Sequence, residues 1–133
     1  MKAEDQGDHY LCNGSKIWTS MAQHADWIFC LVRTAKTDKP QKGISFLLID
    51  MKSPGIRVEP LYTLDGPAEG GQEINQVFFD DVYVPDNHVV GQPGNGWAQV
   101  ISELAYERSG PERFLSAFRV YLEYVRALGD KAD

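Results

Sequence analysis

Along roughly the first two thirds of the chain, apolar residues come in short alternating or continuous runs broken by turn residues. Gln6-Gly7-Asp8 and Asn13-Gly14 lie between alternating residues and predict hairpin turns. Trp27 to Arg33 is dense in apolar residues and predicts a buried strand, with Trp27 opening it in the core. Thr34 to Lys42 is polar with a proline and predicts a surface loop. Gly43 to Asp50 predicts another strand, Ser53-Pro54-Gly55 a turn, and Ile56 to Leu61 an alternating strand. Asp65 to Gly71 is a glycine-rich loop, and Glu73 to Val84 makes one or two further strands ending at Val84-Pro85-Asp86. Strands at this spacing predict a small antiparallel barrel or sandwich.

The period then changes. From Trp97 the apolar positions are Val100, Ile101, Leu104, Phe114, Leu115, Phe118, Leu122, Val125 and Leu128, a spacing near 3.6 residues, with Asn95 and Gly96 as plausible helix starts. Ser109-Gly110-Pro111 interrupts this pattern, because proline in a helix interior costs about 3 kcal/mol. The apolar stripe stays in phase across the break, which predicts one long kinked helix. The expected division is 1–92 for the strand region and 93–133 for the helical one.

Bulk properties exclude several classes. The 133 residues carry a formal net charge of -6, which disfavours a nucleic-acid surface, and no run of like charges forms an acidic or basic arm. The longest apolar runs are far too short for a membrane span. Cys12 and Cys30 show neither a CxxC nor a metal spacing and read as small buried residues in a reducing cytoplasm. His9, His24 and His88 share no helical face, so no metal site is expected. The glycines at 66, 70 and 71 and at 91, 94 and 96 lack phosphate-loop or dinucleotide context and read as loops. No serine sits in a nucleophile elbow.

Two places hold candidate chemistry. Ser15 to Trp27 concentrates two tryptophans, hydroxyls and a histidine, so that Trp18-Thr19-Ser20 is either core plus turn or the wall of a site for a flat ligand. Glu107 falls on the helical stripe of Val100, Leu104, Pro111, Phe114 and Phe118. It either pairs with Arg108 or Arg113 and reaches water, or it is a partly desolvated carboxylate suited to act as a base toward a carbon acid.

Several segments together resemble the acyl-CoA dehydrogenases: Asn13-Gly-Ser-Lys-Ile-Trp-Thr-Ser20, Ala25-Asp-Trp27, Gly43-Ile-Ser-Phe and Pro54-Gly-Ile, then Val77-Phe-Phe-Asp-Asp-Val-Tyr-Val-Pro85, Val90-Gly91, Asn95-Gly-Trp97 and Tyr106-Glu-Arg-Ser-Gly110. They follow that family's order and spacing over nearly the whole chain. The resemblance implies a flavoenzyme of three parts, of which this chain is similar to the middle β-barrel and the first helix of the C-terminal bundle. The expected fold is therefore mainly β with C-terminal α, a small antiparallel β-barrel followed by a long kinked helix, and the chain is expected to be a piece of a longer protein.

The resemblance also implies roles. Trp18 would pack against the flavin ring of FAD, Ser20 would reach flavin N5, and Thr19 would contribute mainly backbone. The reaction would be α,β-dehydrogenation of an acyl-CoA thioester to trans-2-enoyl-CoA, with hydride transfer to N5. Glu107, directly before Arg108, matches the position at which a minority of members keep the base, while most keep it further along the bundle. Ala105, Tyr106 and Arg108 would line the acyl pocket, and Lys36, Lys39 or Lys42 would be the cations near the CoA phosphate unless their loop is merely solvated. An electron-transfer flavoprotein would be the electron acceptor of a homo-oligomer, tetramer or dimer, in the cytoplasm or, in a eukaryote, the mitochondrial matrix. The family's Thr-Glu-Pro and Gly-Ser-Asp segment and its adenosine-gripping segments are not among these residues. A flavin oxidase or monooxygenase of the same fold and a non-enzymatic acyl-CoA-binding barrel are the alternatives.

Overall fold

The computed structural model describes residues 1–64, 66, 73–108 and 110–129. Its elements are β1 (Lys2–Asp5), β2 (His9–Ser20), β3 (Trp27–Arg33), β4 (Ile44–Asp50), β5 (Ile56–Pro60), β6 (Ile74–Pro85), α1 (Gly96–Glu107) and α2 (Glu112–Leu128). Single 3-10 turns at Ala22–His24 and Asp86–His88 join the pieces. The chain forms two compact units, Met1–Gln99 and Val100–Asp133.

The strands make one six-stranded sheet in the order β4-β3-β1-β2-β6-β5. All pairings are antiparallel except a short parallel one between β1 and β3 at Lys2 and Arg33. The Lys16 ammonium on β2 donates to the Leu31 carbonyl of β3 at 2.6 Å. The sheet curls until β4 touches β6. After β6 the chain returns to β4, where Leu47 pairs with Val89 and the Val90 amide donates to the Phe46 carbonyl at 2.8 Å. This return closes the barrel, consistent with the expected mainly β architecture.

Alternation fills the interior. Cys12 on β2, Cys30 and Val32 on β3, Leu47 and Ile49 on β4, and Val77, Val82 and Val84 on β6 are all fully buried. Burying a Val, Leu or Ile side chain is worth about 1.5–3 kcal/mol, so these positions dominate the stability of the first unit. Trp27 is not among them: it is 52% exposed on the outer face and meets His88 edge-on, a correction to its expected place in the core. It opens β3 at an odd position, whereas the inward positions of that strand are even.

Asn13-Gly14 is also not a hairpin turn. β2 runs straight through it, and the register against β6 shifts there instead. Two residues of β6, Asp80 and Asp81, lie opposite the single Asn13, which defines a β-bulge on β6. Asp81 takes a left-handed backbone with φ 47°, and Asn13 holds it twice. The Asn13 amide donates to Asp81 Oδ1 at 2.8 Å, and the Asp81 backbone N–H donates to Asn13 Oδ1 at 2.9 Å. The Asn-Gly pair thus served a bulge because the ladder to β6 already satisfied the backbone that a turn would have freed.

The expected long kinked helix is two helices. α1 ends at Glu107 and α2 begins at Glu112 after Pro111. Proline has no N–H to give to the carbonyl four residues back, so the helix stops and a new one starts, with the amides of Phe114 and Leu115 bonded to the Pro111 carbonyl. The start of α1 is seated on β4. A Cβ at Gly96 would meet the Ser45 carbonyl carbon at 2.8 Å, the buried Ser45 hydroxyl accepts from the Gly94 amide, and Asn95 bridges Ile44. Most of the glycine-rich loop 65–71 lies outside the described residues; Gly66 donates to the Thr63 carbonyl at 3.0 Å.

Candidate functional site

Inward positions on β2 are even: Tyr10 and Cys12 are buried and Lys16 is half-buried. Continued alternation would turn Trp18 inward. A second register shift prevents this. Ile17 and Trp18 lie opposite the single Gln76 of β6, between the pairs Lys16–Val77 and Thr19–Asn75. The extra residue bends the strand and exposes both side chains, Trp18 at 66%. Trp18 has φ 60°, the left-handed region, which for a bulky non-glycine residue costs on the order of 1–3 kcal/mol and persists only where the surroundings hold it. Met21, three residues on, is also left-handed at φ 57° and exposed.

The surroundings do hold it. Asn75 on β6 is fully buried, and its Nδ2 donates to the Thr19 carbonyl at 3.1 Å and to Gln23 Oε1 at 2.8 Å. A backbone carbonyl only accepts, so the amide's orientation is set by chemistry. Among the described residues Asn75 Oδ1 meets no donor, and a buried unsatisfied acceptor costs about 1–3 kcal/mol. The Met21 amide donates to the Glu73 carbonyl at 2.8 Å and closes the segment from the other side. Thr19 is half-buried and Ser20 exposed, so that an indole and a hydroxyl are presented together on one stiff segment. Asp26 just beyond is paired with Lys52 at 2.7 Å, which holds its carboxyl below the usual range.

Ala105, Tyr106 and Glu107 form the last turn of α1, and Arg108 follows, its amide still bonded to the Leu104 carbonyl at 3.0 Å. On the predicted stripe Val100 and Leu104 are half-buried, whereas Glu107 is exposed, as are its neighbours, Tyr106 at 80%. Lys36, Lys39 and Lys42 are exposed on a loop whose turns are closed by Thr37 Oγ1 and by Arg33, both donating to the Lys42 carbonyl. A cleft of about 540 Å³ lined by Met1, Lys2, Glu4, Arg33, Thr34 and Lys36, among others, contains none of the predicted site residues except Lys36. Burial pushes the thiols of Cys12 and Cys30 up to about 12 and about 11, leaving them protonated and inert. Among the described residues no cluster of three potential metal ligands occurs, and no helix is long and apolar enough to cross a membrane.

Asn75, Gln23 and the left-handed Met21 were not foreseen. A signal existed for Asn75 alone: it shares the parity of Val77 and Phe79, which places a polar side chain on the buried face of β6.

The family profile described as acyl-CoA dehydrogenase, middle domain, matches residues 1–82. "Acyl-CoA dehydrogenase IpdE1" of Mycobacterium tuberculosis is 41% identical over 131 residues, covering 98% of this chain and 32% of that protein. The solved structure of the "Tcur3481-Tcur3483 steroid ACAD" superposes with a TM-score of 0.74 at 30% identity, covering 96% of this chain and 33% of that one. The ChsE4-ChsE5 complex from Mycobacterium tuberculosis superposes with a TM-score of 0.67 at 34% identity, covering 78% of this chain and 26% of that one. The chain belongs to the acyl-CoA dehydrogenase family, whose members are FAD flavoproteins of fatty acid metabolism. It spans about a third of the length of IpdE1, the Mycobacterium tuberculosis relative.

Proposed function

We infer that this chain supplies one wall of the flavin site of an FAD-dependent acyl-CoA dehydrogenase that converts an acyl-CoA thioester to its trans-2-enoyl form. The observation that carries this reading is the Trp18 bulge: a strand spends strain to expose a large indole that alternation would have buried. The residues fit the group on chemistry. The indole offers a flat apolar face, Ser20 an exposed donor beside it, and Thr19 a fixed backbone. FAD, when bound, supplies the acceptor for the hydride that leaves the substrate's β-carbon.

The chain's own residues do the remainder. Trp18 would hold the ring, Ser20 would donate a hydrogen bond to it, and Glu107 would take the α-proton at its carboxylate. Ala105, Tyr106 and Arg108 would line the acyl pocket. The electron acceptor would be an electron-transfer flavoprotein and the working form a homo-oligomer in the cytoplasm.

Glu107→Gln in the flavin-loaded enzyme is expected to abolish α-proton exchange of acyl-CoA with solvent while flavin stays bound. Retained exchange would put the base elsewhere. The 133-residue chain alone is expected not to hold FAD tightly, since one wall is a small part of the contact; stoichiometric flavin absorbance in the purified chain would overturn that. Peroxide formation during turnover would favour an oxidase instead.

A further inference from the structure

We propose that Asn75 is the positioning residue that keeps Trp18 turned outward, with Gln23 as its anchor. The proposal rests on the reading of Trp18 as a ligand-facing wall and goes one step behind it, to what holds that wall still.

Three observations converge on Asn75. Its partner in the ladder is Thr19, the first residue after the bulge, so it sits at the point where the strand returns to register. Its amide nitrogen grips the carbonyl of Thr19 at 3.1 Å, which belongs to the Thr19–Ser20 peptide, one residue past Trp18. The second N–H of the same nitrogen is tied to Gln23 Oε1 at 2.8 Å, on the 3-10 turn that follows the left-handed Met21. One buried side chain thereby bonds to both ends of the segment from Thr19 to Gln23, which contains Ser20 and Met21 and begins directly after Trp18.

The position is a poor choice for stability. Asn75 lies on the inward parity of β6 with Val77 and Phe79, it is fully buried, and its Oδ1 meets no donor among the described residues. An apolar side chain would avoid both the buried amide and its unmatched oxygen. What an apolar residue could not supply is a donor to the Thr19 carbonyl. The other bulge of the same ladder uses the same device, since Asn13 grips the left-handed Asp81 from the opposite strand. There the left-handed residue is an aspartate, which tolerates that backbone, and it is bonded directly; here it is a tryptophan, which does not, and the bond goes to the carbonyl of the next residue.

The test uses the 133-residue chain carrying Trp27→Phe and Trp97→Phe, so that Trp18 is the only indole. Backbone order parameters from nuclear magnetic resonance relaxation are compared for Asn75→Ala, Gln23→Ala and the unaltered clamp. The intact clamp should give Trp18 a rigid value near 0.85, and Asn75→Ala should bring it below about 0.6 while the other β2 residues stay rigid. Gln23→Ala opens no core position and should give an intermediate loss at the same residue. An unchanged Trp18 in Gln23→Ala together with an unchanged or unfolded Asn75→Ala overturns the proposal. A uniform loss of order along β2 would make Asn75 an ordinary core residue and overturn it too. The flavin reading is separated by measuring FAD affinity of the holoenzyme: Asn75→Ala is expected to weaken it about tenfold, the worth of one lost hydrogen bond. If Trp18 loosens and FAD affinity does not change, the clamp stands and the flavin role of Trp18 fails.

Discussion

The β2/β6 ladder contains two bulges of the same geometry that do opposite things. At Asp80-Asp81 the extra residue is on β6, and it shifts parity so that Val82 and Val84 return to the core while Asp81 and Tyr83 stay out. Without it, alternation from Val77 and Phe79 would bury a carboxylate. At Ile17-Trp18 the extra residue is on β2, and it carries a large indole out of the core and into water. The first bulge follows the hydrophobic effect and the second opposes it. A feature that gives up burial of a tryptophan and also accepts left-handed backbone is not explained by stability, and it is the one the candidate site is built on.

This contrast predicts that breaking the first bulge damages the fold and altering the second damages binding. The largest effect is expected at Gly55, whose carbonyl accepts from the Asp80 amide at 3.0 Å and whose φ is +89°. A Cβ there would collide with the Asp80 carbonyl, so Gly55→Ala should destabilise the chain by more than about 3 kcal/mol in denaturant unfolding. A loss under about 1 kcal/mol would show that the first bulge does not depend on this turn.

Next comes Asn13→Ala, which removes both bonds to Asp81 and leaves its N–H without that partner; a loss of about 1–3 kcal/mol is expected in the same measurement. Trp18→Gly should be far milder for the fold. It removes an exposed side chain and relieves left-handed strain, so stability should change by no more than about 1 kcal/mol, in the favourable direction, while flavin retention by the enzyme is lost. A loss of about 3–5 kcal/mol, the usual cost of deleting a buried aromatic, would mean that Trp18 is core after all.

The smallest effect compares Cys12 with Trp18, two even positions of β2 separated by the bulge. Acrylamide should quench Trp18 emission freely, whereas a thiol reagent at pH 8 should leave native Cys12 untouched. Burial raises both thiol pKa values from 9.0 to about 12 for Cys12 and about 11 for Cys30, so the folded state holds these protons longer than the unfolded one. Their contribution is complete below pH 9.0, the unfolded thiol value, and is lost as pH rises toward 11 and 12. Unfolding free energy should therefore fall with pH above 9.0, and replacing both thiols by Ala should flatten that decline.

Strand positions were legible wherever one residue type forced the local outcome. The dense run from Trp27, the Ser53-Pro54-Gly55 turn and the change to helical spacing at Asn95-Gly96 each carry their own cause, and β3, the β4–β5 turn and α1 stand where those causes put them. Pro111 was equally visible, but whether it kinks a helix or ends one depends on the backbone around it. The first bulge left a trace too, in the broken alternation of Phe79-Asp80-Asp81-Val82. The second left none, because Ile17 and Trp18 are both apolar and look alike to an alternation rule whichever way they face.

The sequence by itself determined which segments extend and most of the places where they turn, since those follow from side-chain size, branching and the special backbones of glycine and proline. It also determined the family, through motifs in order over nearly the whole chain. Tertiary structure alone decided which way Trp18 faces. That outcome depends on β6 pairing one residue against two and on Asn75, more than fifty positions away, supplying a donor to the Thr19 carbonyl from inside the core. No local preference encodes it: a tryptophan in a strand prefers burial and extended backbone, and here both preferences are overruled by a register and a hydrogen bond that exist only once the strands have met.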